Sequence, residues 1–273
     1  MRFLRRHPKI AFGGFLLAIL VLLSASAALI APYDPIELDV SHRLRPPSAE
    51  HWFGTDSYGR DVLSRTLWGG QISLLIGVSV AFLATVIGTT IGMLSGYIRQ
   101  LDAVVMRVMD GLMAIPGILL AVAMLSLTRA SVQTVILAIT IPEIPRVVRL
   151  VRSVVLTIRE QVFIQGAIAS GSRLPRVLFR HVLPNAIAPI IVQSTYICAS
   201  AVLIEAYLGF LGVGTPPEVP SWGNIIAEGR NFVQLAIWNV TFPGLFLGIM
   251  VLSINVLGDG IRDLLDPKMA RRI

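Results

Sequence analysis

The chain has 273 residues, of which 55% are hydrophobic and only 14% charged, and its formal net charge is +7. This composition excludes an ordinary soluble domain and indicates an integral membrane protein. The positive charge does not indicate nucleic-acid binding, because most arginines flank apolar runs and form no basic patch with interleaved aromatic residues.

Few residues could carry out catalysis or hold a metal. The two lysines, Lys9 and Lys268, follow no G-x-x-x-x-G pattern, so there is no Walker A phosphate loop and any ATP hydrolysis is expected from a partner. The single cysteine, Cys198, lies in an apolar run, which excludes an internal disulfide. We predict no catalytic residue, metal site or cofactor, since the histidines also lack metal-ligand spacing: His7, His42, His51 and His181.

Six apolar runs predict an all-α polytopic membrane protein with six transmembrane helices. The first run, residues 10–30, follows the basic start MRFLRRHPK. It is longer than the apolar core of a typical signal peptide and is therefore predicted to be a retained span, with a cleaved signal peptide as the alternative. The five further spans are predicted at about residues 72–97, 103–127, 132–150, 185–213 and 233–258.

The polar stretch at residues 31–70 contains four prolines, which break helices, and predicts an extracytoplasmic connection. Within it Asp56, Arg60, Asp61 and Arg65 can pair at helical spacing, and we expect a structural role for them. Two parts are therefore predicted: residues 1–70, the first span with an extracytoplasmic segment, and residues 71–273, a core of five spans with a cytoplasmic loop at residues 159–184.

The distribution of basic residues predicts the topology. Six spans place both termini on the same side of the membrane. If the termini are cytoplasmic, 17 lysines and arginines lie inside and 6 lie outside. The positive-inside rule therefore favours cytoplasmic termini and a cytoplasmic loop at residues 159–184.

Small residues recur every four positions in the second span, at Ala84, Gly88, Gly92 and Gly96. Such a stripe lets two helices pack backbone to backbone. We expect static packing, either against another helix of this chain or against a second subunit.

Prolines and charged residues mark the third and fourth spans. Pro116 in the third, and Pro142 and Pro145 in the fourth, are expected to interrupt the helices and leave bends that flex or line an aqueous path. An ion pair between Arg107 and Asp110 is predicted at the cytoplasmic boundary.

Glu143 and Glu205 are the acidic residues most nearly embedded in apolar sequence, and an intramembrane carboxylate is a functional candidate. Glu143 lies three residues before Arg146, so a local ion pair is the simpler interpretation. Glu205 lies about 30 Å along its span from Asn185, near the outer boundary, where it could cap, pair or shape a gate without a large burial cost. Proton relay is the less favoured alternative for both.

The basic stretch at residues 159–184 has a helix–turn–helix pattern. A first helix is predicted over residues 159–170, with small residues near its end that let another surface approach closely. Gly171 is expected to end it in a left-handed conformation, Ser172 to cap a second helix, and Pro175 to lie in the first turn of that helix. An apolar face is predicted opposite an arginine face: Leu174, Val177, Leu178 and Val182 against Arg173, Arg176 and Arg180.

This stretch resembles the cytoplasmic loop of the permease subunits of bacterial ATP-binding-cassette (ABC) importers, which carries the pattern E-A-A-x3-G-x9-I-x-L-P. Four residues match it: Ala167, Gly171, Leu183 and Pro184. Three depart from it: Gln165 replaces Glu, Gly166 replaces Ala and His181 replaces Ile. The sequence RHVLPNAIAPIIV that begins beside His181 is similar to the peptide-importing branch. The resemblance implies that these seven residues couple the chain to an ATPase.

Three other stretches resemble the same branch: HWFGTDSYGRDVLSR at residues 51–65, GFLGVGTPPEVPSWGNIIAEGR at residues 209–230 and GDGIRDLLDPK at residues 258–268. The second is similar to the outward-facing loop where such permeases meet the substrate-binding protein. Trp222 is therefore expected at that contact, and Glu205 at an extracytoplasmic gate.

The resemblance implies the second-type ("C") permease of a dipeptide or oligopeptide importer, with a type I importer fold, in a bacterial inner membrane. Expected partners are a second permease in a heterodimer, two ABC ATPase subunits, an extracytoplasmic substrate-binding protein and the lipid bilayer. Nickel and glutathione importers use similar permeases, so the substrate stays open.

Two other classes of function are less compatible with the sequence. A membrane-embedded enzyme needs a nucleophile with a base, or metal ligands, within its spans. No histidine lies in a predicted span, and neither HExxH nor G-x-S-x-G occurs. A passive channel would leave the cytoplasmic helix–turn–helix stretch unexplained.

Overall fold

The computed structural model describes residues 7–265, and within that range the chain is built from helices, with no β-strand. Short 3₁₀ turns lie at Val40–His42 and Arg230–Phe232, and a π-helical turn lies at Leu178–Val182. The α-helices are α1 (Pro8–Ala25), α2 (Ala27–Ile30), α3 (Val62–Tyr97), α4 (Arg99–Ala114), α5 (Gly117–Ser126), α6 (Val132–Arg159), α7 (Val162–Ala169), α8 (Leu174–Val177), α9 (Leu183–Phe210), α10 (Trp222–Gly229) and α11 (Trp238–Leu265).

Four helical stretches of the described residues are long and apolar enough to cross a membrane: Pro8–Ala25, Val62–Tyr97, Leu174–Phe210 and Trp238–Leu265. The pair α4 and α5 makes a fifth if it counts as one broken span. The remaining prediction, the fourth span at residues 132–150, lies in α6, which has 28 residues but carries charged side chains along its length. The prediction of a polytopic all-α membrane protein is confirmed, whereas the count of six spans is confirmed only up to five.

Helix α3 is the central element of the packing, and its glycine stripe contacts α6. A Cβ atom added at Gly88 would lie 2.5 Å from the Cβ of Val147, and one added at Gly92 would lie 2.8 Å from the Cβ of Val151. Small side chains on α3 therefore allow the valine face of α6 to approach its backbone. The partner of the stripe is a helix of this same chain.

The two ends of the described chain lie side by side. Lys9 at the start of α1 donates a hydrogen bond from Nζ to Asp263 near the end of α11, at 2.8 Å. Along the same pair of helices a Cβ added at Gly13 would lie 2.7 Å from the amide nitrogen of Leu257. The two ends of the described chain therefore lie at the same end of the helix bundle.

The segment that is predicted to be extracytoplasmic is tied to the bundle by buried ion pairs. Arg65, whose side chain is 1% exposed, donates from Nη1 to Asp56 at 2.5 Å and to Glu228 at 2.6 Å. Arg60 also pairs with both carboxylates. Asp61 does not pair with Arg65, because it accepts the Ser64 amide at 2.7 Å and caps α3. The predicted structural role agrees with this geometry.

The same cap explains why α3 begins at Val62, ten residues before the predicted span and across the predicted domain boundary at residue 70.

In the segment before α3, hydrogen bonds from Ser41 and His42 lower the pKa of the Asp39 carboxyl to about 2. That carboxylate therefore stays ionised at physiological pH and holds the 3₁₀ turn Val40–His42.

The third predicted span is broken, as the proline in its sequence led us to expect. Helices α4 and α5 meet at 83° beside Pro116. The predicted pair between Arg107 and Asp110 is wrong, because Asp110 accepts from Arg149 of α6 at 2.5 Å. Asp102 likewise pairs with Arg152 of α6. Helix α4 is thus held by ion pairs to a neighbouring helix and not by a pair within its own turns.

The predicted interruption of the fourth span is also wrong. Pro142 and Pro145 both lie inside the continuous helix α6. Each proline removes one backbone hydrogen bond. Buried residues on both sides, such as Ile139 and Val147, are packed in the main apolar core and hold the helix across this gap.

Candidate functional site

The cytoplasmic element predicted at residues 159–184, called the docking segment from here on, contains the short helix α7. The helix predicted over residues 159–170 is shorter in the structure, because Arg159 is the last residue of α6. Ile164 is fully buried in the core, while Gln165 and Gly166 are exposed and Ala167 is half-buried. A Cβ added at Gly166 would meet no atom within 4 Å. Helix α7 is therefore anchored by one apolar side chain and leaves an open surface beside it.

Gly171 ends α7 as the sequence predicted. Its φ is +79°, a left-handed conformation. The Gly171 amide donates to the carbonyl of Ile168 at 2.9 Å, and the Ser172 amide donates to the carbonyl of Ala167 at 3.0 Å. This pair of hydrogen bonds is the Schellman arrangement, which satisfies the last carbonyls of a helix.

The second helix begins differently from the prediction. Arg173, and not Ser172, is the N-cap residue of α8, and no side chain caps it. The backbone of Ser172 is committed to the turn that closes α7, so the cap lies one residue later. Pro175 lies in the first turn, as predicted.

Helix α8 does not end before the fifth span. The Leu183 amide donates to the carbonyl of Leu178, five residues back, and this π-helical turn joins α8 to α9. The second helix and the fifth span, predicted as separate elements, form one helical stretch, Leu174–Phe210. Pro184 therefore lies inside this continuous stretch, directly after the π-helical turn.

The two faces of this stretch agree with the sequence pattern. Val177, Leu178 and Val182 are buried, and Leu174 is half-buried against the same core. The opposite face is exposed: Arg173, Arg176 and Arg180. His181 and Leu183 are half-buried and Pro184 is exposed at the start of α9.

Apolar side chains also lie exposed on the docking segment. Val162 is 82% exposed, Phe179 63%, Phe163 48% and Ile168 46%. Exposed apolar residues rimmed by arginines are typical of a protein-binding surface.

The two residues predicted at the extracytoplasmic side are both buried. Glu205 is fully buried and accepts a hydrogen bond from the Ser73 hydroxyl of α3 at 3.0 Å, so its expected low burial cost is wrong. Trp222 is also fully buried, and its Nε1 donates to the carbonyl of Thr66 at 2.9 Å. Neither side chain forms part of the exposed outer surface, because the packing of α3, α9 and α10 encloses them.

Sequence reasoning missed Glu228, which joins α10 to Arg60 and Arg65. The only available signal was an acidic residue in the outer loop of a chain whose outer segment carries arginines. Within residues 7–265, no group of three His, Cys, Asp or Glu side chains could hold a metal ion. The end of the stretch at residues 258–268 lies outside the described residues.

Comparison with known proteins identifies relatives over almost the whole chain. Residues 84–271 match the family described as binding-protein-dependent transport system inner membrane component, and residues 1–47 match the N-terminal TM domain of oligopeptide transport permease C. A probable peptide ABC transporter permease protein of Sinorhizobium fredii is 51% identical over 272 residues, which cover 100% of this chain and 93% of the relative.

Two further relatives are similarly complete. A di/tripeptide transport system permease protein of Pseudomonas aeruginosa is 40% identical over 271 residues, covering 96% of this chain and 89% of the relative. A probable D,D-dipeptide transport system permease protein of Escherichia coli is 39% identical over 266 residues, covering 97% and 89%.

The fold is shared with a solved transporter. An inward-facing structure of the MetNI methionine ABC transporter matches with a TM-score of 0.61 and 23% identity, covering 72% of this chain and 94% of the matched chain. That likeness shows the fold alone. The family match at residues 84–271 covers more than half of the sequence, and it shows that this chain belongs to the family of binding-protein-dependent transport system inner membrane components, the permeases of ABC importers.

Proposed function

We propose that this chain is one of two permease subunits of an ATP-driven importer of dipeptides or oligopeptides. The second permease completes the translocation path in a heterodimer, two ABC ATPase subunits bind the cytoplasmic side, and an extracytoplasmic binding protein delivers the substrate. The chain itself is a transport component, and its partners hydrolyse ATP.

The docking segment supports the contact with an ATPase. Gln165, Gly166 and Gly171 lie exposed on α7 and its closing turn. The other end of the sequence pattern lies at the junction of α8 and α9: His181 in the π-helical turn, and Leu183 and Pro184 at the start of α9. Because α8 and α9 are one helical stretch, a force applied to this segment reaches the fifth span without a flexible linker.

The observation that supports a peptide substrate is the agreement among the names of the relatives. Those from Sinorhizobium fredii, Pseudomonas aeruginosa and Escherichia coli are aligned over nearly the full chain, and the name of each specifies a peptide or dipeptide. Nickel or glutathione import by the same type of complex is the alternative.

We also infer an orientation in the bacterial inner membrane with both termini cytoplasmic. The 17 to 6 excess of basic residues supports it, and so does the contact between Lys9 and Asp263 at the two ends of the bundle. Glu205 and Trp222 lie on the opposite side from these ends. Since both are buried, we expect them to support the closed outer gate and the loop that the binding protein contacts.

The test is uptake by the reconstituted complex. The chain is produced with the permease, ATPases and binding protein encoded by neighbouring genes, and the complex is inserted into liposomes. ATP is supplied on the side of the membrane where the ATPase subunits lie. Labelled dipeptide, pentapeptide, glutathione and Ni²⁺ are offered in parallel, with a complex lacking the binding protein as the control.

We expect uptake of a peptide that depends on both ATP and the binding protein. ATP-dependent uptake of only Ni²⁺ or glutathione would contradict the substrate class. Substrate flux that continues without the ATPases would contradict the importer and favour a passive channel.

A further inference from the structure

One face of helix α6 carries an exposed row of polar side chains, called the polar row here: Arg146, Arg149, Ser153 and Thr157. The opposite face packs its valines on the glycine stripe of α3. Exposed arginines on a membrane-embedded helix do not face lipid, because burying a charge in hydrocarbon is costly; they face water or another protein. The polar row therefore faces the path or a partner subunit.

Arg146 lies near the end of the span predicted at residues 132–150. It follows Val132, the first residue of α6, by fourteen positions, which is about 21 Å at 1.5 Å per residue. The hydrocarbon core of a bilayer is about 30 Å thick. The Arg146 guanidinium therefore lies in the last third of the span predicted at residues 132–150, toward the end that continues into residues 159–184, and its side chain is 47% exposed.

A cavity opens beside this residue where the third span is broken. Its volume is about 240 Å³, and its lining includes Pro116 at the break between α4 and α5, together with Pro142, Glu143 and Arg146 of α6. The broken helix leaves room for a small group to reach the guanidinium. Non-helical backbone at membrane depth is tolerated where it lines such a cavity.

The hydrogen bonds of Arg146 involve only one of its three guanidinium nitrogens. Nη1 donates to both oxygens of Glu143, at 3.0 and 3.2 Å, and Glu143 is almost fully buried. Nε and Nη2 have no hydrogen-bond partner in the part of the chain that the structure describes. These two atoms form the edge of a guanidinium that binds the two oxygens of a carboxylate in parallel.

The neighbouring arginine on the same helix shows the contrast. Arg152 uses Nε and Nη2 together on Asp102 of α4, so that edge is filled. Arg149 donates a hydrogen bond from Nη2 to Asp110 at 2.5 Å. Among these three arginines of α6, only Arg146 presents an open edge, and only Arg146 lines the cavity.

We propose that Arg146 binds the carboxylate of the substrate as it crosses the membrane, with Glu143 as a positioning residue that fixes the guanidinium through Nη1. This inference rests on the proposed peptide importer and names the group of the peptide that is recognised, its C-terminal carboxylate. The ligand class is a small molecule with a free carboxylate.

The experiment compares four chains in otherwise identical complexes: wild type, Arg146→Lys, the double variant Glu143→Gln with Arg146→Gln, and Arg149→Gln. The double variant removes both charges, so no unpaired buried carboxylate is left to destabilise the chain. Arg149→Gln is the matched control, since that residue has similar exposure and lies one turn farther along the polar row.

Two measurements are made on each complex. Equilibrium binding of a labelled dipeptide and of its C-terminal amide is measured in nanodiscs without the binding protein, so that the binding protein's own selectivity has no influence. Uptake per ATP hydrolysed is then measured in liposomes with the loaded binding protein.

We expect the wild type and Arg149→Gln to bind the acid about tenfold more tightly than the amide, as loss of a charge-assisted hydrogen-bond pair implies. In the double variant this ratio should fall to about one, and uptake per ATP should fall by about tenfold. Arg146→Lys should be intermediate, because an ammonium cannot form the two parallel bonds.

Three outcomes would overturn the proposal: an unchanged ratio in the double variant, no measurable acid binding by the wild type, or loss of assembly with the second permease in the double variant, which would make Arg146 an interface residue. A wild-type complex that imports no peptide would instead contradict the proposed function, whatever the variants do.

Discussion

At Gly171 the backbone adopts a conformation that residues with a Cβ atom reach only at a cost. No atom lies within 4 Å of an added Cβ, so the cost of substitution there is conformational and not steric. This separates the residue from most glycines of the chain, whose role is close packing.

We expect Gly171→Val to destabilise the turn of the docking segment by about 1 kcal/mol or more, while insertion of the spans survives. ATPase association should weaken, or hydrolysis should no longer be tied to uptake. Subunit assembly, ATP hydrolysis and uptake of reconstituted complexes are the measurements.

Gly166→Ala is the matched control for that substitution, because Gly166 lies in the same segment, has equally open surroundings and has helical backbone angles. Alanine there should leave coupling intact. Full uptake with normal coupling in Gly171→Val would show that this segment does not transmit ATPase motion.

Individual residues were predictable where the signal was local. Gly171 closes a helix through its own backbone, and Glu143 pairs with Arg146 three residues away at 3.0 Å, as expected. Asp110 was assigned the wrong partner, because its true partner Arg149 is distant in sequence. Spacing along one helix says nothing about which side chains a second helix brings near.

At the scale of elements, the contact between α3 and α6 depends on the absence of side chains. A Cβ at Gly92 would lie 2.8 Å from the Cβ of Val151 and 2.9 Å from the carbonyl oxygen of Val148. Neither the Cβ of Val151 nor the backbone carbonyl of Val148 can move unless the whole of α6 shifts, because both atoms are fixed by the helix backbone.

We therefore expect Gly92→Ala to destabilise the complex by about 1–3 kcal/mol, as overpacking of a close contact does. Gly248→Ala in α11 is the control, because nothing lies within 4 Å of its added Cβ. Thermal unfolding of the purified complexes measures both. Equal stability of the two variants would contradict the close approach of α3 and α6.

Apolar periodicity predicted which helices exist, but it did not predict everywhere that one helix ends or continues into the next. The break at Pro116 was predicted, whereas Pro142 and Pro145 lie inside a continuous helix because packing on both sides compensates for them. The continuity of α8 with α9 was missed, since Pro184 locally indicates the start of a helix. Burial of Glu205 and Trp222 was missed because it depends on how α10 folds back against α3 and α9.

For the whole molecule, the basic asymmetry makes the orientation testable by cysteine labelling. In a Cys198→Ala background, Arg45→Cys and Glu218→Cys should react only with a membrane-impermeant reagent added from outside, and Ser170→Cys only from the cytoplasmic side. All three positions are exposed. Labelling of residue 45 or 218 only from the cytoplasm would contradict the predicted topology.

Nucleotide turnover provides a second test of the whole molecule. The chain alone should not hydrolyse ATP, because Lys9 and Lys268 are its only lysines and neither belongs to a phosphate loop. Hydrolysis should appear when the ATPase subunits are added. Turnover at a transporter-like rate by the chain purified free of ATPases would contradict this division of labour.

The π-helical turn at Leu178–Val182 has a geometric consequence for transport. An α-helix advances about 100° around its axis per residue, so one extra residue in a turn sets the angular phase between the helix before it and the helix after it. Deleting a single residue there would leave a regular α-helix, with both ends of the stretch Leu174–Phe210 intact in composition. Because the π-helical turn absorbs that extra residue, the arginine face and the fifth span would keep nearly their present relation after the deletion, whereas an α-helical turn with every residue kept would rotate one against the other by about 100°. Only in that second case would a push on one arrive at the other from the wrong side.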